Sequence, residues 1–284
     1  MPSLKKHITQ AYGRVFGTSS DQLFRKGAPP RALTQTQEMF IEWNAQRLNI
    51  SVEASKTRYF VSWSALHNGH GGSEFRALND LSYALFQVFS NDSAAEVYAA
   101  YALHAPMHFL RMLSYAEPHW REDDIVVQHL GRCSTVNILD YGCGLAQKSR
   151  TLAVYLANKG IAINLYLVDI PTIRKEFLLW WGKKAGISVT FFDCTADVPI
   201  PNLPPCDFCI ATEFFEHVYD PVRYFDKIHA ALRNTGLLET EISDHGDEFM
   251  HVSPNLKSVR DRIHELGYEE LKQNVIFRKT ARES

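Results

Sequence analysis

Val136-Asn137-Ile138-Leu139-Asp140-Tyr141-Gly142-Cys143-Gly144-Leu145-Ala146 decides the fold. A short apolar run ends at an acid, two glycines follow at a spacing of two, and a helical pattern opens at Gln147-Lys148. Glycines at such a junction let the backbone turn sharply and let a ligand approach the main chain. The grammar repeats downstream. Ile163 to Val168, Ile187 to Phe192, Phe208 to Thr212 and Leu237 to Ile242 read as further strands. Helices fall between them: one from Lys148 to Ala157 closed by Gly160, one opened by Pro171, one by Asp220-Pro221 and one by Ser253-Pro254. Strands alternating with helices of this length predict βαβ units and a mainly parallel sheet. The tail from Tyr268 alternates in a way that suits an antiparallel edge pair.

Upstream of about residue 130 the pattern is helix and loop. Leu78, Leu81, Leu85 and Val88 form one apolar stripe, and Ser93 with Glu96 has the form of a capping box. The helix starting there should kink or stop at Pro106, and Asn68 to Gly72 reads as a loop. The chain therefore divides into a helical N-terminal region, 1–130, and an α/β domain, 131–284. The first serves as a lid, a wall of the acceptor pocket or a dimer contact.

Composition narrows the field. The 284 residues are 45% hydrophobic and 22% charged with a formal charge of −2, so no basic face for nucleic acid is imposed. Met1 to His7 lacks the apolar core of a secretory signal. No stretch approaches the roughly 18 apolar residues of a membrane span. Five cysteines, an odd number, suit a reducing compartment better than a disulfide framework. The expected location is the cytoplasm.

The glycine turn separates one nucleotide class from another. A dinucleotide fingerprint requires Gly or Ala three residues after the second glycine, where this chain has Gln147. Asp140, two residues before the first glycine, suits a cation such as the α-ammonium of S-adenosylmethionine (SAM) better than a pyrophosphate. Asp169, with Ile170 at the end of the second strand, can accept both ribose hydroxyls; it can equally cap the next helix. Asp193-Cys194, ending the third strand, offers a carboxylate and an amide to an adenine edge, or is simply a turn.

These residues resemble the class I SAM-dependent methyltransferase superfamily, which includes ubiquinone-biosynthesis O-methyltransferases. Asp140-Tyr141-Gly142-Cys143-Gly144 is similar to its first motif. Asp207 to Pro221, with Glu216-His217-Val218 and Asp220-Pro221, is similar to its fourth-strand motif, and Gly236, His251-Val252-Ser253 and Gly267-Tyr268 match later elements. The chain departs from the first motif at Ala146, where a third glycine is usual, and residues before 130 carry no family motif. The resemblance implies a Rossmann-like, mainly parallel seven-stranded sheet flanked by helices, with SAM across the ends of the first and fourth strands.

On that basis Asp140, Tyr141, Gly142, Cys143 and Gly144 hold the methionine part of SAM. Asp169 and Ile170 serve the ribose, Asp193 and Cys194 the adenine, and Glu213 borders the methionine part or the acceptor pocket. The expected reaction is methyl transfer to a small-molecule acceptor at a hydroxyl oxygen. His217 is the first choice of base because imidazole titrates near neutral pH; capping the next helix is the alternative role for Glu216-His217. His251 and His245 come after it. No metal is assigned, although His245, Asp247 and His251 form an imaginable set. Cys206-x-x-Cys209 lacks a second pair and reads as packed thiols rather than a zinc site. Two competing functions are a catalytically silent binding protein on the same fold and a nucleotide-dependent oxidoreductase, the latter disfavoured by Gln147 and Asp140.

Overall fold

The computed structural model of the protein describes residues 33–67, 95–244 and 251–281. The Leu78 to Val88 stripe, the Asn68 to Gly72 loop, Ser93 of the capping box, His245 and Asp247 lie outside the described residues.

β1 (Thr135–Tyr141), buried on both faces over its last four residues, sets the frame. Val136 and Ile138 face one apolar cluster, while Leu139 and Tyr141 face the other, as the period of two in a strand dictates. Beside it stand β2 (Ala162–Asp169), β3 (Ser188–Asp193), β4 (Cys206–Ala211) and β5 (Leu232–Thr240), all parallel. β6 (Glu269–Lys272) and β7 (Ile276–Arg278) complete the sheet in antiparallel pairing, giving the order β3-β2-β1-β4-β5-β7-β6. The order reverses between β1 and β4. In open α/β sheets such a switch point leaves a crevice outside the carboxyl ends of the strands.

Among the described residues four helices precede the sheet: α1 (Gln35–Leu48), α2 (Val52–His67), α3 (Ala95–Met112) and α4 (Ile125–Leu130). Among the strands come α5 (Gln147–Ala157), α6 (Ile173–Ala185), α7 (Pro221–Ala231) and α8 (Lys257–Glu265), with a short 3₁₀ turn at Phe215–His217. Helices α5 and α6 cover one face of the sheet and α7 and α8 the other. The N-terminal helices add an outer layer on the α6 side. There Phe109 stacks edge-on to Phe40 with centroids 5.1 Å apart, and Phe177 of α6 lies 5.6 Å from Trp43 and 5.4 Å from Phe109. A single apolar cluster runs from these N-terminal rings into the sheet. Among the described residues no helix is long and apolar enough to cross a membrane.

Several element ends differ from the sequence reading, each for a local reason. Helix α6 starts at Ile173 because the Thr172 hydroxyl accepts the Arg174 amide; Pro171 precedes the cap, and Asp169 is not the cap. Helix α5 is capped at Asn158, and Gly160 (φ +83°) turns the chain just beyond. Helix α8 starts at Lys257 rather than at Ser253-Pro254, because Ser253 is tied back to Glu216 and Val218 while Asp244 takes the Leu256 amide. Helix α3 runs on through Pro106 to Met112, carried by buried Ala105, Phe109 and Leu110. Strand β5 begins at Leu232, directly after α7. Asp220 does cap α7, with Pro221 in its first turn.

Cys206 and Cys209 are fully buried free thiols, as their packing role requires. A register shift between Cys206 and Phe208 turns both to the same apolar cluster, and burial pushes the Cys206 thiol up to about 12. Tyr224, Phe225 and Ile228 form the buried stripe of α7, and Phe225 is wholly inaccessible. Phe225→Ala should lower the unfolding free energy by about 3–5 kcal/mol, read as an earlier midpoint in denaturant titration.

Candidate active site

The glycine turn leaves β1 in a left-handed conformation at three of five positions: Gly142 (φ +70°), Gly144 (φ +54°) and Ala146 (φ +50°). Such angles suit glycine and strain alanine. Both glycines are also closely approached. A methyl group on Gly142 would lie 2.5 Å from a ring carbon of Phe214, and one on Gly144 would lie 2.5 Å from Cε of Met112. The turn is thus flanked by Phe214, which follows β4, and by the last residue of α3.

Two carboxylates bracket the turn. Asp140 is 6% exposed and accepts the Ser149 hydroxyl at 2.5 Å. Asp169 accepts the Gly144 amide on Oδ2 (2.8 Å) and its neighbour's amide, that of Ile170, on Oδ1 (2.7 Å). Arg174 reaches the same Oδ1 at 3.3 Å. Asp169 therefore ties the glycine turn to the end of β2 before any ligand is considered. A carboxylate offers about four lone-pair sites, and with the Cys143 thiol 4.0 Å from Oδ2 these are taken, so a ribose hydroxyl would displace or share one of the present donors.

Asp193 is half exposed and takes both of its contacts from Lys175, at 2.7 and 2.8 Å. The Cys194 amide is engaged with the Asp169 carbonyl at 2.9 Å, which removes the donor proposed for an adenine edge. Tyr141 and Cys143 contribute backbone only. The Tyr141 ring is buried against Phe214 and Tyr224 on the far face of β1, and burial pushes the Cys143 thiol well up. Glu213 is exposed in a left-handed turn beyond β4 (φ +52°).

The structure adds three residues that the sequence reading missed. Asp140, Ile210 and Glu239 share one row across β1, β4 and β5, so both acids point toward α5. Lys148 of that helix pairs with Glu239 at 2.8 Å, and its neighbour Ser149 serves Asp140. The second oxygen of Glu239 is buried with no hydrogen-bond partner among the described residues. An acid directly after Leu237-Leu238 in the fifth strand was the available signal for Glu239; Lys148 and Ser149 look like ordinary helix residues.

Beyond β4 the two histidines meet. The Val252 and Ser253 amides both donate to the Glu216 carbonyl, at 2.8 and 3.0 Å. That pins the segment carrying His251 to the 3₁₀ turn carrying His217. The rings stand edge to face with centroids 4.9 Å apart, and His217 Nε2 lies 3.9 Å from the buried Glu216 carboxylate. Glu216, His217 and His251 offer ligand atoms within 4.8 Å of one another. A carboxylate and two imidazoles so placed can pass a proton or hold a divalent cation. This set differs from the imagined one, which needed His245 and Asp247. Tyr101 of α3 donates to the His217 carbonyl at 3.4 Å, so α3 touches this turn and, through Met112, the glycine turn.

A switch-point crevice, a glycine turn and acids ending successive strands define a nucleoside-binding α/β domain. The family follows from comparison: residues 139–239 match the family model described as a methyltransferase domain. Over that segment the chain is similar to methyltransferase domains. No curated protein matches the chain. Among solved structures, the [4+2]-cyclase SpnF is 18% identical, with 63% of this chain and 73% of that chain covered and a TM-score of 0.46. An S-adenosylmethionine-dependent methyltransferase from Mesorhizobium loti is 21% identical, with 44% and 54% covered and a TM-score of 0.33. Coclaurine N-methyltransferase, bound to N-methylheliamine and SAH, is 16% identical, with 72% and 62% covered and a TM-score of 0.40. The chain thus spans less than two thirds of the last two.

The residues present fit SAM. Asp140, Asp169 and Glu239 gather three carboxylates around the turn, facing Lys148, Arg174 and the buried Arg150, and carboxylates at the ends of β1 and β2 suit a cationic nucleoside.

Burial is the main cause that pushes Asp140 up to about 7 from its ordinary 3.8, with Asp169 and Glu239 adding to the rise and Ser149 and Lys148 opposing it. A carboxyl whose folded value is raised stabilises the fold least when ionised, so stability should fall as pH climbs from about 4 through 7. The size is on the order of 4 kcal/mol. Asp140→Asn should therefore unfold at higher denaturant than the wild type at pH 8 and equally at pH 4. Parallel pH profiles would refute the assignment.

Proposed function

We propose that the protein transfers the methyl group of SAM to a hydroxyl oxygen of a small-molecule acceptor. The observation that carries the reading is the meeting of His217 and His251 after β4, beside the switch point where Asp140 and Asp169 flank the glycine turn.

SAM supplies a methyl group already activated by its sulfonium. The chain's task is to align the acceptor, and alignment of reacting groups can contribute roughly 7–11 kcal/mol. In this reading Asp140 and the glycine turn hold the methionine part, Asp169 the ribose and Asp193 the adenine end. Glu213 borders the methionine part or the acceptor pocket. Residues 1–130 form the helical N-terminal region, and α3 supplies a wall of the acceptor pocket, since it reaches both turns. A hydroxyl arrives protonated and needs a base. His217 takes that proton at Nε2, and the neighbouring Glu216 carboxylate stabilises the resulting imidazolium. His251 orients the ring from its edge.

The first test is calorimetric titration with SAM, its demethylated product and NAD. Binding of the first two and not the third is expected, and NAD binding alone would overturn the reading. Asp169→Ala should weaken SAM binding markedly. Transfer of labelled methyl to a panel of phenols and alcohols follows. His217→Ala should lower kcat by about 10²- to 10⁴-fold with SAM affinity unchanged; an unaltered rate would remove His217 from the mechanism.

A further inference from the structure

Ala146, an L-residue in the left-handed region (φ +50°), ends a turn that already holds two left-handed glycines. Backbone of this kind persists where its surroundings over-determine it. The residue that does so sits one turn into α5. Arg150 is 2% exposed. Its Nε donates to the Leu145 carbonyl at 2.8 Å, inside the glycine turn, and its Nη2 donates to the Thr36 hydroxyl of α1 at 3.1 Å. The guanidinium carbon lies 5.6 Å from the centre of the Phe177 ring and 5.3 Å from that of Trp181, a setting in which a desolvated cation is attracted to ring faces.

The contact does not stop at Thr36. The Thr36 amide donates to the Glu117 carboxylate at 2.7 Å, and the side chain of Gln37, its neighbour, donates to the Leu113 carbonyl at 3.0 Å. From the other side, Gln147 of α5 donates to the Met112 carbonyl at 3.1 Å. Met112 is the residue that lies on Gly144. The start of α1, the end of α3 and the glycine turn therefore converge around one buried arginine.

We infer that Arg150 is a positioning residue for the cofactor site: it ties the Leu145 carbonyl to the N-terminal helices, so that the glycine turn takes its ligand-receiving shape only with those helices docked. Replacing the guanidinium alone leaves the Leu145 carbonyl and the Thr36 hydroxyl without their donor, which lowers stability whatever the arginine's role. A merely structural arginine would lower stability on replacement and leave the SAM affinity of the folded chain unchanged. A positioning one would lower that affinity too, because partners that orient a binding group typically contribute about 10- to 100-fold in affinity.

The inference rests on the SAM reading, and the full-length chain separates the two. SAM and its demethylated product are titrated calorimetrically into wild type, Arg150→Met, Arg150→Lys and Thr36→Val, with unfolding midpoints measured in parallel. Arg150→Met should unfold earlier than wild type but remain folded under the titration conditions, and bind SAM at least tenfold more weakly, with Arg150→Lys between the two. Thr36→Val keeps the arginine and cuts its link to α1; it should weaken SAM binding more than twofold. Wild-type affinity in Arg150→Met overturns the role of Arg150. If that variant fails to fold, affinity within twofold of wild type in Thr36→Val overturns it instead. A wild-type chain that does not bind SAM sinks the cofactor reading, and this inference with it.

Discussion

The hydrogen bond from the Gly144 amide to the Asp169 carboxylate joins the turn after β1 to the end of β2, and the site's geometry depends on it. A backbone donor and a side-chain acceptor on adjacent parallel strands fix the depth of the crevice at the switch point. The Gly142 amide reinforces the link by donating to the Val168 carbonyl at 2.8 Å. With this edge fixed, Asp140 is held beneath the turn, and α5 starts in the direction that places Lys148 and Ser149 over the two buried acids. Hydrogen bonds to charged groups are the stronger kind, which explains how a turn with three left-handed residues keeps one shape.

Charge in the crevice is arranged with a bias. The buried carboxylates have partners, Ser149 for Asp140 and Lys148 for Glu239, but one Glu239 oxygen has none among the described residues. Burial also pushes Asp140 up to about 7. Burying these acids thus costs the fold electrostatically. On the proposed reading, stability of the fold and affinity for a sulfonium nucleoside are opposing demands on Asp140.

Much of the frame was legible in the chain. The alternation from Val136 onward, the apolar strands, Asp220-Pro221 and the tail hairpin each have a local physical signature; the seven-stranded sheet was implied by the family resemblance, and its order is given by the structure. The glycine turn with Asp140 and Asp169 was legible for the same reason, since its signals lie within one βαβ unit. What stayed hidden depends on distance. Arg150 has the appearance of a surface arginine on a helix until Thr36, 114 positions away, is folded onto it. The pairing of His217 with His251 exists only because the Glu216 carbonyl collects the Val252 and Ser253 amides. Helix starts at Ile173 and Lys257 moved because side chains competed for the same backbone donors, a contest that residue preferences alone do not decide.

The far edge of the sheet has a consequence of its own. β6 is a four-residue strand, Glu269-Glu270-Leu271-Lys272, and three of its side chains are charged. Exposed strand edges invite pairing with other chains, and short charged edges deter it. Any second molecule wishing to extend the sheet there would have to desolvate those groups for the sake of very few ladder bonds. Sheet growth is therefore closed off on that flank, and the six-residue β3 is, among the described residues, the edge left open to pairing.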